Sequence, residues 1–393
     1  MRWISSRVAP GVTLLRVLNE ETPRFENFWP IPRGTSYNFY VVEGSEGVAL
    51  IDGADERASD AFWEALESVV DPREITHVVL QHSEPDHSGT IPSVLERAEG
   101  AVLLGTEQAI RIGSPLAGLP ADRFTPAGGE LDLGGRTLRF TPIPMVHWPD
   151  TMMTLLAEEG VLFTSDLFGS HGASEVVFYE DSPGDFELRD YYASILMAYS
   201  KMVARALDRV SEISPRMLAP SHGALFRDPG SVLPLYERWS RWRPLRRALV
   251  VLGSQYGRTA RLAEAAAEGM EGAGLEVSVL DTAEADPDDL LAETLEAAAI
   301  LVATSTHNGR PFPGVSFYLG LLEAYRPENK VAAVVGCHGW SGGGVRTARK
   351  RLESIGLEVV GELSVVGSPT PEDLERAREL GAELGRRGLL LAE

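Results

Sequence analysis

Hydrophobic and polar positions alternate in two different ways along the chain, and the change falls near residue 240. In the first part, short apolar runs predict strands, as in TSYNFYVVEG and GVALIDG, which a turn at Gly44–Gly47 joins. The stretch LDLGGRTLRF predicts a hairpin at its Gly-Gly pair. Apolar residues at helical spacing predict helices in ASDAFWEALESVV and in DYYASILMAYSKMVARALDRV. The first part is therefore expected to be rich in strands with helices between them.

Beyond residue 246 apolar strands alternate regularly with amphipathic helices. The predicted strands are RALVVLGS, LEVSVLD, AAAILVAT, NKVAAVVG and GLEVVGELSVV. The helical stretches between them include TARLAEAAAEGMEGAG and GGVRTARKRLESIG. This alternation predicts βαβ units and a parallel sheet that is covered on both faces. Because 393 residues are too many for one ordinary core, we expect two domains, residues 1–245 and 246–393.

Composition and charge exclude several classes of protein. A formal charge of −21 argues against nucleic acid and anionic membrane surfaces as partners. A membrane span is not expected because the chain lacks an apolar run of about twenty residues, and the stretch MRWISSRVAPGVTLL does not resemble a signal peptide. The single cysteine, Cys337, fits a reducing compartment, so we expect a cytoplasmic protein. The arginine-rich stretch RWSRWRPLRR, residues 238–247, is either a docking patch or a solvated linker.

Histidines and carboxylates follow predicted strands at four places in the first part. They occur in VVLQHSEPDHSGT, PIPMVHWPDT, VLFTSDLFG and MLAPSHG, as His82, Glu84, Asp86, His87, His147, Asp166 and His222. Ligands are commonly bound where strands end. Imidazole and carboxylate together suit transition metals, and seven such side chains are too many for one ion. The sequence therefore predicts two ions, most simply with Asp166 shared between them.

The remaining side chains divide between the two ions. We assign His82, Glu84 and His147 to one ion and Asp86, His87 and His222 to the other. Pro85 stiffens the loop, and Ser88 is expected to be the N-cap of the helix that follows. His77 lies within a strand and is expected to be structural. His171 is either a plain loop residue or a second layer around the metal ligands.

Three loops that follow strands in the second part resemble a phosphate-binding site. VLGSQYGRTA offers Ser254, Gly257 and Thr259 at the start of a helix, where hydroxyl groups, free N–H groups and the helix dipole favour a phosphate. It is neither the G-x-G-x-x-G motif nor the P-loop. VATSTHNGRPFPG follows the third predicted strand of this part, and VGCHGWSGGGVRT follows the fourth. Trp340 could stack on a bound ring or cover apolar core, and we expect a packing role for Cys337.

In this order, on five strands, the three loops resemble those of flavodoxin, which hold the phosphate and both sides of the isoalloxazine of FMN. The resemblance implies that FMN contacts three sets of residues here. They are Ser254, Gln255, Tyr256, Gly257, Arg258 and Thr259, then Thr304, Ser305, Thr306, His307, Asn308 and Gly309, and finally Gly336, Cys337, His338, Gly339, Trp340, Ser341, Gly342 and Gly343.

The motif H-x-E-x-D-H, followed by a histidine, an aspartate and a final histidine, resembles the metallo-β-lactamase fold. Glu84 makes it similar to the flavodiiron proteins, because hydrolytic members of the fold typically have histidine there. The carboxylates of Glu84, Asp86 and Asp166 would balance most of the charge of two ferrous ions, and hard oxygen ligands favour iron where an imidazole-rich site suits zinc. The resemblance implies an α/β protein, with an N-terminal metallo-β-lactamase-like αββα sandwich and a C-terminal flavodoxin-like, doubly wound sheet of five parallel strands.

The resemblance covers essentially the whole chain and implies an oxidoreductase with two non-haem iron ions and FMN. Flavodiiron proteins reduce O2 to water, NO to N2O, or both, with the flavin as the immediate electron donor. Their head-to-tail homodimer, alone or as a dimer of dimers, would place each flavin against the partner's irons. Because no C-x-x-C pairs follow the last predicted helix, we expect a separate electron donor, such as rubredoxin or a reduced deazaflavin.

Two other functions remain open at this point. One is a dizinc hydrolase of the metallo-β-lactamase fold fused to a flavodoxin, for which Glu84 is the discriminating residue. The other is a plain electron carrier, in which an FMN domain is joined to a degenerate scaffold. The complete set of seven candidate ligands argues against degeneracy.

Overall fold

The computed structural model describes residues 1–392. The chain divides into two compact units, Met1–Glu237 and a second that begins at Arg238. The sequence-based boundary between residues 245 and 246 falls inside the first strand of the second unit, Leu245–Gly253, and stays a prediction. Within residues 1–392, no helix is both long enough and apolar enough to cross a bilayer.

The first unit is built mainly from strands, as the sequence predicted. Its strands are β1 (Arg2–Ala9), β2 (Val12–Asn19), β3 (Arg24–Phe25), β4 (Trp29–Pro30), β5 (Thr35–Glu43), β6 (Val48–Ile51), β7 (His77–Val79), β8 (Val102–Gly105), β9 (Phe124–Pro126), β10 (Glu130–Asp132), β11 (Thr137–Pro142), β12 (Met152–Leu156), β13 (Val161–Phe163) and β14 (Met217–Ala219). Its helices are α1 (Ser59–Glu67), α2 (Pro85–Ser88), α3 (Ile91–Arg97), α4 (Glu107–Ala117), α5 (Leu188–Tyr191) and α6 (Ser200–Ile213), and helix α7 (Leu233–Ser240) begins in this unit and continues past Glu237 into the second.

All of these strands except β3 and β4, which pair with each other, form two large sheets that pack face to face. One has the order β1-β2-β5-β6-β7-β8-β9, and the other has the order β10-β11-β12-β13-β14. Tyr40 and Ile51 from the first sheet and Met152 and Phe163 from the second lie in the apolar core between them. A separate core on the other face of the first sheet contains Phe62 of α1. The strand ends of both sheets then carry the candidate ligands.

Two local predictions for the first unit are wrong. The predicted long helix around residues 190–210 is interrupted, because α5 leads into a π-helical turn, Tyr192–Leu196, before α6 begins. Every residue of that turn is buried, so packing on all sides, rather than an amphipathic period, sets its backbone. Ser88 is not an N-cap. It is the last residue of α2, and its hydroxyl donates to the carbonyls of Ser83 and Glu84.

The second unit has the predicted alternation of strands and helices. Its strands are β15 (Leu245–Gly253), β16 (Glu276–Asp281), β17 (Ala297–Thr304), β18 (Thr306–His307), β19 (Arg310–Pro311), β20 (Val331–His338) and β21 (Glu358–Val366). Its helices are α8 (Arg258–Gly272), α9 (Pro287–Glu296), α10 (Pro313–Tyr325), α11 (Gly343–Ser354) and α12 (Pro371–Leu389). Five strands form a parallel sheet in the order β16-β15-β17-β20-β21. Helices α8 and α12 cover one face, and α9, α10 and α11 cover the other.

The close packing of α8 on α12 depends on a glycine. A Cβ atom added to Gly381 would lie 1.9 Å from the carbonyl oxygen of Ala266, which is backbone and cannot move aside cheaply. The contact therefore requires the absence of a side chain at this position. It brings the two helices together over one face of the sheet.

The arginine-rich stretch is partly engaged within the second unit. Arg238 and Arg247 form ion pairs of 2.6 and 2.9 Å with Glu296, whose side chain is nearly buried. The indole N–H of Trp239 donates to the same carboxylate at 3.1 Å. These two arginines are therefore held against Glu296 and do not form an open docking patch.

Candidate metal and flavin sites

The seven predicted metal ligands converge at one edge of the two sheets of the first unit. His82 and Glu84 lie in the loop after β7, and Asp86 and His87 lie on the short helix α2. The other three follow β11, β13 and β14, as His147, Asp166 and His222. The donor atoms fall into two groups, within each of which they lie no more than 4.8 Å apart: His82, Glu84, His147 and Asp166, and Asp86, His87 and His222.

In the first group the side chains surround a small space. Glu84 Oε2 lies 3.1 Å from His82 Nε2 and 3.0 Å from His147 Nε2. Asp166 Oδ2 lies 3.5 and 3.3 Å from the same two nitrogens. Ligand atoms about 2.1 Å from one ion, at tetrahedral or octahedral angles, are roughly 3 Å apart. The spacing therefore suits a common ion.

The second group meets the first at Asp166. Its other oxygen, Oδ1, lies 3.0 Å from His87 Nε2 and 3.3 Å from His222 Nε2. Asp86 Oδ2 is also 3.3 Å from His222 Nε2. The Nδ1–H of His222 donates to the carbonyl of Ser36 at 2.8 Å, which makes Nε2, directed into the group, the ring nitrogen that can bind a metal ion after it loses its proton. The two oxygens of one carboxylate thus face two different sets of histidines.

The residues present fit a pair of metal ions. Both oxygens of Asp166, Asp86 Oδ1 and His87 Nε2 are buried and lie 3.0–3.7 Å from other side-chain atoms of the cluster, yet none is aligned for a hydrogen bond within residues 1–392. Buried polar atoms are ordinarily paired, so this cluster of unpaired donors and acceptors calls for a ligand. A metal pair would satisfy all of these atoms at once.

The pKa values of these side chains also indicate a site for positive ions. Burial alone would lower the pKa of each imidazole, but the facing carboxylates outweigh it. They raise the pKa of His82 to about 9, of His147 to about 10 and of His222 to about 9. Burial would raise the pKa of Asp166, but His87 and the other histidines hold that pKa well below its usual value. The site therefore concentrates negative charge that positive ions, or protons, must balance.

His171 and His77 are not members of either group. His171 is buried, and its ring centroid is 5.0 Å from that of Tyr191. Burial lowers its pKa to about 3. His77 shares a 2.8 Å hydrogen bond with the hydroxyl of Thr76 at the start of β7, as expected for a structural residue.

The three predicted flavin loops surround one cavity in the second unit, with a volume of about 430 Å³. That size is typical of a site for a small cofactor. Most of the predicted contact residues line it: Ser254, Gln255, Tyr256, Arg258, Thr259, Ser305, Thr306, His307, Asn308, Gly309, Cys337, His338, Gly339, Trp340 and Ser341. Gly367, after β21, also lines it and was not predicted. The predicted residues outside the lining are Gly257, Thr304, Gly336, Gly342 and Gly343.

Two of those five have structural roles instead. The hydroxyl of Thr304 accepts the N–H of Phe312 at 2.8 Å. A Cβ atom at Gly336 would lie 2.0 Å from the carbonyl oxygen of Thr304, so the glycine allows β17 and β20 to carry their loops side by side. Neither residue lines the cavity, but both support the loops that form it.

The cavity fits a flavin nucleotide. Helix α8 begins at Arg258, so its N-terminal N–H groups lie beside the cavity, where they suit a phosphate. The hydroxyl oxygens of Ser254 and Ser305 are buried and have no hydrogen-bond partner in the described chain. Tyr256 is 85% exposed and Trp340 is 96% exposed, which is unusual for large aromatic residues and suits stacking on a ring.

Family models match both parts of the chain. Residues 35–223 match the ODP family beta lactamase, and residues 250–381 match flavodoxin. A nitric oxide reductase of Moorella thermoacetica is 33% identical over 365 residues, which are 90% of this chain and 91% of that protein. The flavodiiron protein from Giardia intestinalis superposes with a TM-score of 0.94 at 25% identity, over 99% of this chain and 97% of that one. The chain belongs to the flavodiiron protein family.

A second solved structure supports the assignment. Rubredoxin oxygen:oxidoreductase from Desulfovibrio gigas has a TM-score of 0.94 and 25% identity, over 98% of this chain and 99% of that one. The predicted fold class is confirmed, because a β-lactamase-like domain precedes a flavodoxin-like domain with five parallel strands. This flavodiiron protein is an oxidoreductase, and its cofactors are FMN and a pair of iron ions.

Sequence reasoning missed two buried carboxylates beside the metal groups of this flavodiiron protein. Asp150 lies 3.3 Å from His82 Nδ1, and Asp52 lies 3.6 Å from His87 Nδ1. Both are fully buried. Asp52 directly follows an apolar strand in GVALIDG, which is the same placement that identified the ligands, so its position was a usable signal.

Proposed function

We propose that this flavodiiron protein reduces NO to N2O, O2 to water, or both. The first reaction consumes two electrons and two protons for two NO molecules, and the second consumes four of each for one O2. The name nitric oxide reductase in one relative and oxygen:oxidoreductase in one structural neighbour support these substrates. A cavity of about 190 Å³, lined by Glu84 and Asp86 from the two metal groups, is compatible with a small gas.

The ligand assignment rests on Asp166. Its Oδ2 faces the first group and its Oδ1 faces the second, so Asp166 would be shared by both ions. His82, Glu84 and His147 would hold the first ion, and Asp86, His87 and His222 would hold the second. The iron pair supplies electrons and adjacent binding positions for a diatomic gas, and FMN replenishes the electrons.

Residues of the second unit would hold the flavin. The N-terminus of α8 with Ser254 and Thr259 would bind the phosphate, and Tyr256 and Trp340 would cover the ring. In the first unit the metal ligands His82 and Asp166 are at most 1% exposed, so bulk water is excluded from these two side chains. Exclusion of water strengthens the electrostatic interactions within the site.

The decisive experiment removes the shared carboxylate. The Asp166→Ala variant is expected to lose reduction of both gases while the absorption spectrum of bound FMN is unchanged. His77→Ala, at the start of β7 and outside both groups, is the matched control and should retain activity. Anaerobic stopped-flow mixing of the reduced protein with NO and with O2, separately, measures the rates and shows which gas is preferred.

The two alternative functions, a plain electron carrier and a dizinc hydrolase, predict different results. Unchanged gas consumption in Asp166→Ala would favour a plain electron carrier. Zinc without iron, after expression with ample iron, would favour a hydrolase and overturn the proposal. Glu84 argues for iron, because its oxygen is placed between His82 and His147 where an imidazole would suit zinc.

We further propose that the protein acts in the cytoplasm as a head-to-tail homodimer, alone or as a dimer of dimers, with rubredoxin or a reduced deazaflavin as the electron donor. The metal groups and the flavin cavity lie in different units of the chain, which supports transfer between subunits. Dilution to a demonstrated monomer should abolish turnover with both cofactors still bound, and retained turnover would exclude the obligate dimer. Reduction of the bound FMN by each donor, measured separately, tests the donor.

A further inference from the structure

Asp52 is a buried carboxylate that contacts the second metal group and is not a ligand. It directly follows β6, its side chain is fully buried, and its backbone has a φ of 55°. Left-handed backbone is uncommon for a residue with a side chain, and such strain is often found at functional sites. Its N–H donates to the carbonyl of Val79 at 2.9 Å, which fixes the turn against β7.

The side chain of Asp52 contacts three segments that carry ligands. Oδ1 accepts the N–H of Gln81 at 2.8 Å, and Oδ2 accepts the hydroxyl of Ser221 at 3.1 Å. Oδ2 also lies 3.6 Å from Nδ1 of His87. Ser221 immediately precedes His222 and Gln81 immediately precedes His82, so Asp52 lies beside the ring of His87 and also holds the residue before one histidine of each group.

Gly53, the residue after Asp52, contacts helix α2 through its backbone. The N–H of Gly53 donates to the carbonyl of His87 at 2.9 Å. A Cβ atom at Gly53 would lie 2.5 Å from Thr90 Oγ1 and 2.9 Å from the carbonyl oxygen of His87. The Asp52–Gly53 turn therefore contacts His87 at its ring and at its main chain, which restrains where Nε2 points.

Asp150 has the same position relative to the first metal group as Asp52 has relative to the second. Oδ2 accepts the N–H of Ser83 at 2.7 Å, and Oδ1 lies 3.3 Å from Nδ1 of His82. Asp150 is fully buried, as Asp52 is. Each metal group thus has one carboxylate behind a histidine, on the side away from the ligand nitrogen.

We propose that Asp52 is a positioning residue chiefly for the second ion, keeping His87 and the His222 loop in place as ligands, and that Asp150 is a positioning residue for the first ion through His82. The inference rests on the proposed ligand assignment. Partners of this kind orient a histidine and raise its basicity, and their loss typically reduces metal affinity about 10- to 100-fold.

The test is an anaerobic titration of the full-length apoprotein with Fe²⁺ against a competing chelator, which gives two binding constants. Asp52→Asn keeps the size of the side chain and replaces one oxygen with a donor. One constant is expected to fall about 10- to 100-fold in this variant, and the other is expected to change much less, because Asp52 reaches the first group only through Gln81. In Asp150→Asn the other constant should fall.

The double variant decides whether two different ions are affected. If Asp52 and Asp150 serve different ions, both constants fall in the double variant. If only one falls, or if Asp52→Asn alone reduces both to the same extent, the proposal is overturned. EPR gives an independent readout, because oxidised Asp52→Asn at limiting iron should show an isolated high-spin ferric signal where a coupled pair is silent.

A milder variant covers the case in which Asp52→Asn does not fold. Ser221→Ala removes one partner of Asp52 and leaves the carboxylate in place, so it should weaken the same constant several-fold, and an unchanged constant would overturn the proposal. If the wild-type protein binds fewer than two irons, the proposed function fails first. If the wild type binds two and the variants bind both equally well, only this inference fails.

Discussion

The buried guanidinium of Arg16 donates a hydrogen bond of 2.5 Å to the carbonyl of Gly223, the residue that follows His222. Its other hydrogen bonds go to Asn38 Oδ1 at 2.7 Å and to the carbonyls of Ser174 and Val176. Although burial lowers the pKa of this guanidinium to about 10, it is still charged at neutral pH. A cation is thus held mainly by carbonyl oxygens of two separate segments, one of which carries the candidate metal ligand His222.

We expect Arg16→Leu to destabilise the protein by about 2–4 kcal/mol, because several buried carbonyls lose their donor. Chemical denaturation of the apoprotein measures the change in the free energy of unfolding. Arg7→Leu on the neighbouring strand β1 is the control, since Arg7 is exposed and its loss should change stability little. Equal effects of the two substitutions would contradict this role for Arg16.

Metal uptake by the apoprotein should release protons. The pKa values of His82, His147 and His222 are raised to about 9–10, so these imidazoles are protonated at neutral pH, whereas ligand imidazoles must be neutral. With His87, whose pKa is also raised, we expect up to about four protons per chain at pH 7. An indicator dye in weakly buffered solution counts them.

The same competition makes metal affinity depend on pH. Because protons compete with the ions, affinity should increase with pH and level off near the raised pKa values, while proton release falls towards zero. An affinity that is constant between about pH 7 and 9 would show that the histidines are neutral before the ions bind.

Lys330 should make stability depend on pH in the second unit. Its ammonium is buried and donates to the carbonyls of Leu295 and Ala297, and burial lowers its pKa to about 7. Between about pH 7 and 10 the unfolded chain binds this proton and the folded chain does not, so Lys330 contributes a stability that rises with pH.

The comparison with Lys330→Met isolates this contribution. The free energy of unfolding of the variant, minus that of the wild type, should decrease by about 1.4 kcal/mol per pH unit in that window and be constant below it. Urea denaturation at several pH values measures it. Lys350→Met, at an exposed position, should show no such slope, and a flat difference for Lys330→Met would place its pKa near the usual value.

Trp340 should contribute to FMN affinity by stacking. Removing one aromatic contact costs about 0.5–1.5 kcal/mol, so Trp340→Ala is expected to raise the dissociation constant of FMN by roughly 2- to 10-fold. Quenching of FMN fluorescence measures it. Trp340→Phe should recover most of the affinity, and Phe317→Ala, at another exposed aromatic residue of the same unit, should change nothing. Unchanged affinity in Trp340→Ala would mean that the ring does not cover the flavin.

The sequence was most informative where a functional residue directly follows an apolar strand. His82, Asp166 and His222 have that placement, and parallel strands bring such ends to one edge of a sheet. The loops at Ser254 and Trp340 were predictable for the same reason. Strand and helix positions in the second unit followed from the regular alternation, because each element buries a continuous apolar face.

The functional residues that the sequence did not reveal contact partners that lie far away along the chain. Asp150 looks like an ordinary turn residue in HWPDT, and its contact with His82 exists only once two loops have met. Arg16 is the one charged residue of strand β2, and nothing nearby in the sequence identifies its acceptors. The π-helical turn at Tyr192 reflects burial on all sides, which a helical period does not reveal.

The ion pair between Arg238 and Glu296 bears on how the flavin-binding half could be excised. A fragment starting at residue 246 would lack Arg238 and Trp239, two donors to a carboxylate that is 6% exposed. Losing donors to a buried charge is costly. A fragment starting at Arg238 keeps both donors. It should therefore fold more stably than a fragment that starts after the arginine-rich stretch.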